Sequence, residues 1–182
     1  MMIEEDEYVE RYIILLLGVK DECIPSNTHL QKELYILTKI DPSLEKIFDY
    51  DNYNFGIYSK IVAEKIDEPF YFDEAYEYNS KKQICLTTSG KQHYSKIIME
   101  KGALEKTSFE HILGAMKLIR ITYDKFSVSE LELIMYISYP DTAKNSTIIN
   151  KISKNKIGIL DGLLRKGYIT QNRYEEMLKY DL

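Results

Sequence analysis

Tryptophan is absent from this chain of 182 residues, cysteine occurs twice, proline four times and glycine eight times. With so little Pro and Gly and 45% hydrophobic residues, the composition excludes a low-complexity or disordered chain and describes an ordered globular one. Cys23 and Cys85 lie far apart with no Cys-x-x-Cys spacing, so the pattern indicates neither a disulfide framework nor a zinc site. Two thiols suit a reducing cytoplasm. Long apolar runs are also missing: the longest, Ile13 to Leu17, falls far below the roughly 20 residues of a membrane span. The first residues are acidic where a secretory leader needs cations. A soluble, cytoplasmic protein with no membrane association is expected.

Catalytic signatures are missing as well. There is no Gly-x-Ser-x-Gly elbow, P-loop or dinucleotide glycine fingerprint. His29, His93 and His111 are scattered without zinc spacing, and surface or capping roles suit them. Asp73, Glu74 and Glu77 lack the lysine two residues beyond the last acid that an Asp…Glu-x-Lys nuclease uses to steady its water, since Asn79 stands there. The expectation is a protein that is not an enzyme, with no cofactor, no metal and no small-molecule substrate.

What the chain has in excess is tyrosine, 16 copies, and acid, with a net charge of −5. Residues 1–19 hold five acids against Arg11 alone, whereas residues 141–182 hold eight bases against five acids. An acidic balance opposes non-specific phosphate binding over the whole surface, but leaves room for a local basic face at the C-terminal end, built from Lys151, Lys154, Lys156, Arg165 and Lys166.

Helical periodicity marks residues 7–19, with Tyr8, Tyr12, Leu15, Leu16 and Val19 on one stripe, and a second helix capped by Ser26 or Asn27 with Leu30, Leu34, Leu37 and Thr38 inward. Asp41-Pro42 stops it. The informative stretch is 52–101: a polar approach, Phe55-Gly56-Ile57-Tyr58-Ser59 opening a third helix, then alternating strands 69–78 and 83–87 around the turn Asn79-Ser80-Lys81-Lys82, then a helix from Thr88 or Ser89 that ends near Lys101-Gly102. That is the order of a winged helix-turn-helix. Beyond it lie a helix capped by Ser108, one with a capping box at Ser129 and Glu132, a short helix over 144–153, one stopping at Gly167 and a last one capped by Thr170. The fold class is thus α+β, mostly α: a winged-helix domain over 1–102 with a two-stranded wing, and a helical C-terminal extension over 103–182.

On the third helix, Ser59, Lys60, Ala63, Glu64 and Asp67 point outward, the face a duplex meets in such folds. Lys60 is its clearest cation, and Lys81 and Lys82 sit at the wing tip among Asp73, Glu74 and Glu77. Nucleic-acid contacts, direct or through a partner, therefore fall on Ser59, Lys60, Lys81, Lys82 and the C-terminal bases, on a weakly equipped face. The tyrosines around the wing, Tyr53, Tyr58, Tyr71, Tyr76 and Tyr78, suit core and cross-strand packing or, where exposed, a protein interface.

Leu30-Gln31-Lys32-Glu33-Leu34-Tyr35-Ile36-Leu37 followed by Phe55-Gly56-Ile57-Tyr58-Ser59 resembles a pattern of prokaryotic winged-helix proteins of the Panacea antitoxin-like and YwgA-like kind, although Ile57 stands where those proteins usually have Pro. Ile84-Cys85-Leu86-Thr87-Thr88-Ser89-Gly90 resembles the segment that closes their wing, and Glu130 to Tyr136 with Tyr139-Pro140 is similar to a stretch beyond it. Arg165-Lys166-Gly167-Tyr168-Ile169-Thr170 with Tyr174-Glu175-Glu176 is similar to the SHOCT helical pair, thought to serve in assembly. The resemblance implies a non-catalytic adaptor or accessory protein that binds a partner protein or a second copy of itself in a bacterial or archaeal defence, antitoxin or regulatory complex. The alternative is a DNA-binding transcriptional regulator.

Overall fold

The computed structural model describes residues 5–53, 56–104 and 106–182. It is α+β and mostly helical, with two small two-stranded sheets. The chain divides into two compact units, Met1–Tyr50 with Ser59–Lys125, and Asp51–Tyr58 with Phe126–Leu182.

In the first unit, α1 (Glu5–Gly18) is buried on nearly every side over Ile13, Ile14, Leu15, Leu16 and Leu17. Ser26 caps α2 (Asn27–Ile40), its hydroxyl accepting from the His29 N–H at 3.4 Å. Every residue of α2 from His29 to Thr38 is buried, polar ones included, because α4, α6 and the turn at Pro42–Leu44 pack on it. Asp41 breaks α2 by accepting from the Ser43 N–H, and the short α3 (Glu45–Phe48) ends at Asp49 in the left-handed region. There α4 (Lys60–Asp67), α5 (Thr88–Leu104) and α6 (Lys106–Tyr123) complete the helices. Strands β3 (Tyr76–Tyr78) and β4 (Ile84–Leu86) pair antiparallel, with Tyr76 opposite Leu86, Glu77 opposite Cys85 and Tyr78 opposite Ile84. Asn79 closes the turn between them: its carbonyl accepts from Lys82 N–H, its side-chain oxygen accepts from Lys81 and Gln83 N–H, and Lys82 takes the positive φ. Ile24, between α1 and α2, exchanges two backbone hydrogen bonds with Ile84 at 2.8 and 3.0 Å, which adds a one-residue third rung to the hairpin.

The second unit contains all but the outer end residues, Tyr50 and Ser59, of the paired strands β1 (Tyr50–Tyr53) and β2 (Gly56–Ser59), then α7 (Val128–Ser138), α8 (Ile149–Lys154), α9 (Lys156–Arg165) and α10 (Gln171–Leu178). Leu131, Leu133, Leu160 and Leu163 form its core, and the Tyr136 hydroxyl is hydrogen-bonded to Ser146 at 2.7 Å inside it. Gly167 ends α9 at φ 70°, a conformation that a side chain would strain. Thr170 then caps α10.

Several expectations are corrected. Residues 57–59 are strand and not helix, and α4 begins at Lys60, because the Gln31 side-chain amide pairs with both backbone groups of Ser59 and holds them extended. Asn54 and Phe55 lie outside the described residues. Only 76–78 of the expected strand 69–78 is strand, since the N–H groups of 70–72 are taken by a side chain. α5 runs through Gly102 to Leu104, and α6 starts before Ser108. The capping box is Ser127 with Glu130, two residues earlier than Ser129 with Glu132. The unit boundary lies after Lys125 and not near Ala103, because α6 buries Met116, Ile119 and Arg120 with α1 and α2. Finally, Cys23 and Cys85 are bonded to each other as a disulfide, because the Ile24–Ile84 bridge brings the two neighbouring residues together.

Candidate partner-binding surface

The side chains with most chemical tension in the first unit are buried charges. Glu10 is fully buried in α1 among Val9 and Ile13, and its two oxygens accept from the consecutive N–H groups of Phe70, Tyr71 and Phe72 at 2.8, 2.9 and 2.9 Å. A buried carboxylate is tolerable when several N–H donors surround it. Here the arrangement also shapes the loop after α4. Phe70 projects from that loop with 76% of its surface exposed, set edge-on to Tyr71 at 5.0 Å, while Lys65 lies over the Tyr71 ring. A large exposed aromatic on a backbone fixed at three successive amides is preorganised, so little ordering entropy is left to lose on contact.

Next to that loop in sequence, α4 exposes Lys60, Glu64 and Asp67, which recur at helical spacing, and Glu68 is exposed at its C-cap. Lys60 is 86% exposed and lies 3.5 Å from Glu64, so the one cation of this stripe is partly offset by its own helix. Ser59 is not on this face. It is fully buried, its hydroxyl accepts from the Val62 N–H as the helix cap, and it is withdrawn as a nucleic-acid contact. Ala63, expected outward, is also buried. Lys81 and Lys82 are exposed at the hairpin turn.

The tyrosine set separates. Tyr76 is buried, its hydroxyl donates to the Lys65 carbonyl at 2.6 Å, and burial pushes its phenol well above the usual range, which removes it as an interface residue. Tyr78 is 42% exposed, and its hydroxyl donates to Asp67. Tyr71 is half-buried beneath Lys65. In the second unit Tyr53 is 56% exposed, with its ring 5.6 Å from that of Tyr58.

The C-terminal bases also separate. Lys156 Nζ donates to the Leu178 carbonyl at 3.0 Å and to the Tyr180 carbonyl, closing the end of α10, and burial there pushes its ammonium down. Lys166 donates to both oxygens of Glu130 at 2.7 and 3.0 Å. Burial pushes the Glu130 carboxyl up, but Lys166 and the Ser127 N–H outweigh it and hold the group below the usual range. Both lysines thus serve the second unit's own packing. Lys151, Lys154 and Arg165 are exposed.

Sequence reasoning missed three features: Glu10, Phe70 with its loop, and Arg120. Arg120 is fully buried on α6, donates to the Leu16, Leu17 and Glu22 carbonyls, and pairs through Nε with Asp124 at 3.0 Å. Glu33 lies 3.7 Å from that Nε, and neither of its oxygens has a hydrogen-bond donor. Burial, and then the charge of Asp124, push its carboxyl well above the usual range. Among the described residues no group of three His, Cys, Asp or Glu side chains is placed to hold a metal ion. A surface cavity of about 400 Å³ is lined by Lys20, Cys23, Cys85, Lys91, Tyr94 and Ser95. No helix among the described residues is long and apolar enough to cross a membrane.

No family model, curated protein or solved structure matches the chain.

Proposed function

We propose that this chain is a non-catalytic winged-helix adaptor, of the Panacea antitoxin-like or YwgA-like kind, that binds a partner protein in a prokaryotic defence, antitoxin or regulatory complex in the cytoplasm. The observation that carries the reading is Phe70, a large exposed aromatic on a loop fixed by the buried Glu10, next in sequence to a helix whose exposed stripe is mostly acidic. Aromatics on rigid backbone anchor protein interfaces, whereas a duplex-binding helix needs cations toward phosphate. The winged-helix part of the reading draws on the order α1, Ile24 rung, α2, α4, β3, β4, with α4 ahead of the hairpin. The α9–α10 pair, held by Lys156 and by the Tyr174 hydroxyl donating to Asp161, corresponds to the SHOCT-like assembly element in this reading.

The second reading, a DNA-binding regulator, draws on the exposed Lys81 and Lys82 at the hairpin turn and Lys60 on α4. Co-purification from the native host separates the two. The adaptor reading expects a partner at equal stoichiometry that Phe70→Ala releases and Lys60→Glu keeps. The regulator reading expects a salt-steep DNA affinity that Lys60→Glu abolishes. Partner capture unaffected by Phe70→Ala, with DNA binding intact in the wild type, refutes the adaptor.

A further inference from the structure

Cys23 lies in the loop after α1, Cys85 is the central residue of β4, and 62 positions separate them in the chain. Both are half-exposed and line the cavity of about 400 Å³ at the protein surface. That space accepts a small molecule and gives it a path to the sulfurs. The same cavity is lined by Lys20 and Lys91 together with Glu22 and Asp21, which pair with them at 2.7 and 2.8 Å, so its wall is polar and close to charge-balanced beside the sulfurs. Adjacent to the bond in both segments, Ile24 and Ile84 are fully buried and joined by their two backbone hydrogen bonds. On the other side, Lys91 Nζ holds Asp21 at 2.8 Å. The disulfide is therefore one of several ties between this loop and the elements it packs on, and the others, which include Arg120 donating to the Glu22 carbonyl and Lys20 paired with Asp124, do not involve sulfur.

We propose that Cys23–Cys85 is a reversible thiol–disulfide exchange site, opened in the folded protein by a low-molecular-weight thiol that enters from the cavity. A thiolate of that reagent attacks one cysteine sulfur, forms a mixed disulfide with it and expels the other cysteine as a thiolate, which takes up a proton from solvent. A second reagent thiolate attacks the reagent-side sulfur of the mixed disulfide, and the first cysteine leaves in the same way. Two reagent thiols are oxidised to their disulfide, and the protein disulfide is reduced by two electrons to two thiols. The Ile24–Ile84 rung keeps the two cysteines apposed after cleavage, so re-formation is intramolecular at high effective concentration. This accounts for how two cysteines can be bonded in one redox condition and free in another without loss of the fold. The site is independent of the partner-binding reading.

The test uses the intact chain and glutathione. Native protein is equilibrated across ratios of reduced to oxidised glutathione, quenched with acid, alkylated and weighed by intact mass spectrometry, with far-UV circular dichroism in parallel. The expected result is conversion to dithiol in native buffer at about 10 mM reduced glutathione, with the helical signal kept and the bond restored by oxidised glutathione. The effective concentration of the pair should fall on the order of a hundredfold when the same titration is run in urea, where the rung is lost. A Cys23→Ser variant that retains the helical signal should take up one glutathione at Cys85 from oxidised glutathione, which reports access from the cavity directly. A bond that resists glutathione in native buffer but yields in urea overturns the proposal. So does reduction that abolishes the helical signal, or a folded Cys23→Ser chain that stays unmodified.

Discussion

Replacing Arg120 by Ala should be among the most damaging single changes in the first unit, and its cost can be worked from the geometry. The guanidinium is fully buried and satisfies three carbonyls, Leu16 and Leu17 at the end of α1 and Glu22 in the following loop, while pairing with Asp124. Truncation leaves those carbonyls without their donor and leaves Asp124 dependent on Lys20, 3.0 Å away. Removing one partner of a buried, hydrogen-bonded charge network costs about 3–5 kcal/mol, because the charge left behind is uncompensated. Arg120→Met restores much of the lost packing but none of the donors, so it should remain about 3 kcal/mol destabilising.

Glu33→Gln supplies the internal control. Because the Glu33 carboxyl is raised above its unfolded value, its contribution to stability is fully present below the unfolded pKa and is lost as pH rises toward the folded one. At neutral pH it is a burden, so Glu33→Gln should be neutral or stabilising there and should flatten the decline of stability above about pH 4.5. Urea unfolding followed by circular dichroism gives the free energies, and amide exchange in α1 and α6 assigns the loss to the first unit. An Arg120→Ala cost below about 1 kcal/mol, typical of a surface change, would refute the view that this side chain joins α6 to α1.

Glu10→Ala should cost about 3 kcal/mol or more by stranding the Phe70, Tyr71 and Phe72 amides, whereas Phe70→Ala should change stability by less than about 0.5 kcal/mol; equal losses in urea titrations would contradict the assignment of scaffold and contact roles. In the second unit, Glu130 is held below its usual range, so the stability it lends is present above the unfolded pKa near 4.5 and is lost as pH falls through the folded value. Lys166→Met should remove about 0.5–1 kcal/mol of it, discounted because Lys166 is partly exposed, and should shrink the acid-induced loss; an unchanged pH profile by thermal melts would count against the pair.

The sequence was legible where one local rule acts alone. Ser26 and Thr170 cap their helices as their spacing suggests, the Asn79 turn closes the hairpin, and Gly167 ends α9. It misled where a distant side chain overrides local preference. Ile57-Tyr58-Ser59 has helical periodicity with the residues that follow, yet Gln31, 28 positions earlier, holds Ser59 extended through both backbone groups. Pro69 to Ala75 alternates like a strand, yet Glu10 takes its amides. Capping spacing could have identified Ser127 with Glu130 as readily as Ser129 with Glu132, since both pairs satisfy it. Of the candidate site, the acidic stripe of α4 and the exposure of Tyr78 follow from periodicity. Phe70 does not, because its exposure depends on the loop that Glu10 shapes, and the disulfide does not, because no spacing rule joins positions 23 and 85.

These departures share a physical cause. Glu10, Gln31 and Arg120 each sit inside a helix, each is buried, and each spends its side-chain polar atoms on backbone groups of another segment. An apolar residue at any of the three positions would bury as well or better, but it could not distinguish one arrangement of the neighbouring loop from another. A carboxylate or amide demands a specific set of donors, so a competing loop conformation leaves a buried polar atom unmet and is disfavoured by roughly 1–3 kcal/mol per group. The unit thereby fixes the strand-to-helix entry to α4 and two stretches that lack regular structure of their own, the turn after α1 and the loop carrying Phe70. A surface used for recognition benefits from that arrangement, since a loop already held in one conformation loses less freedom when it meets its partner.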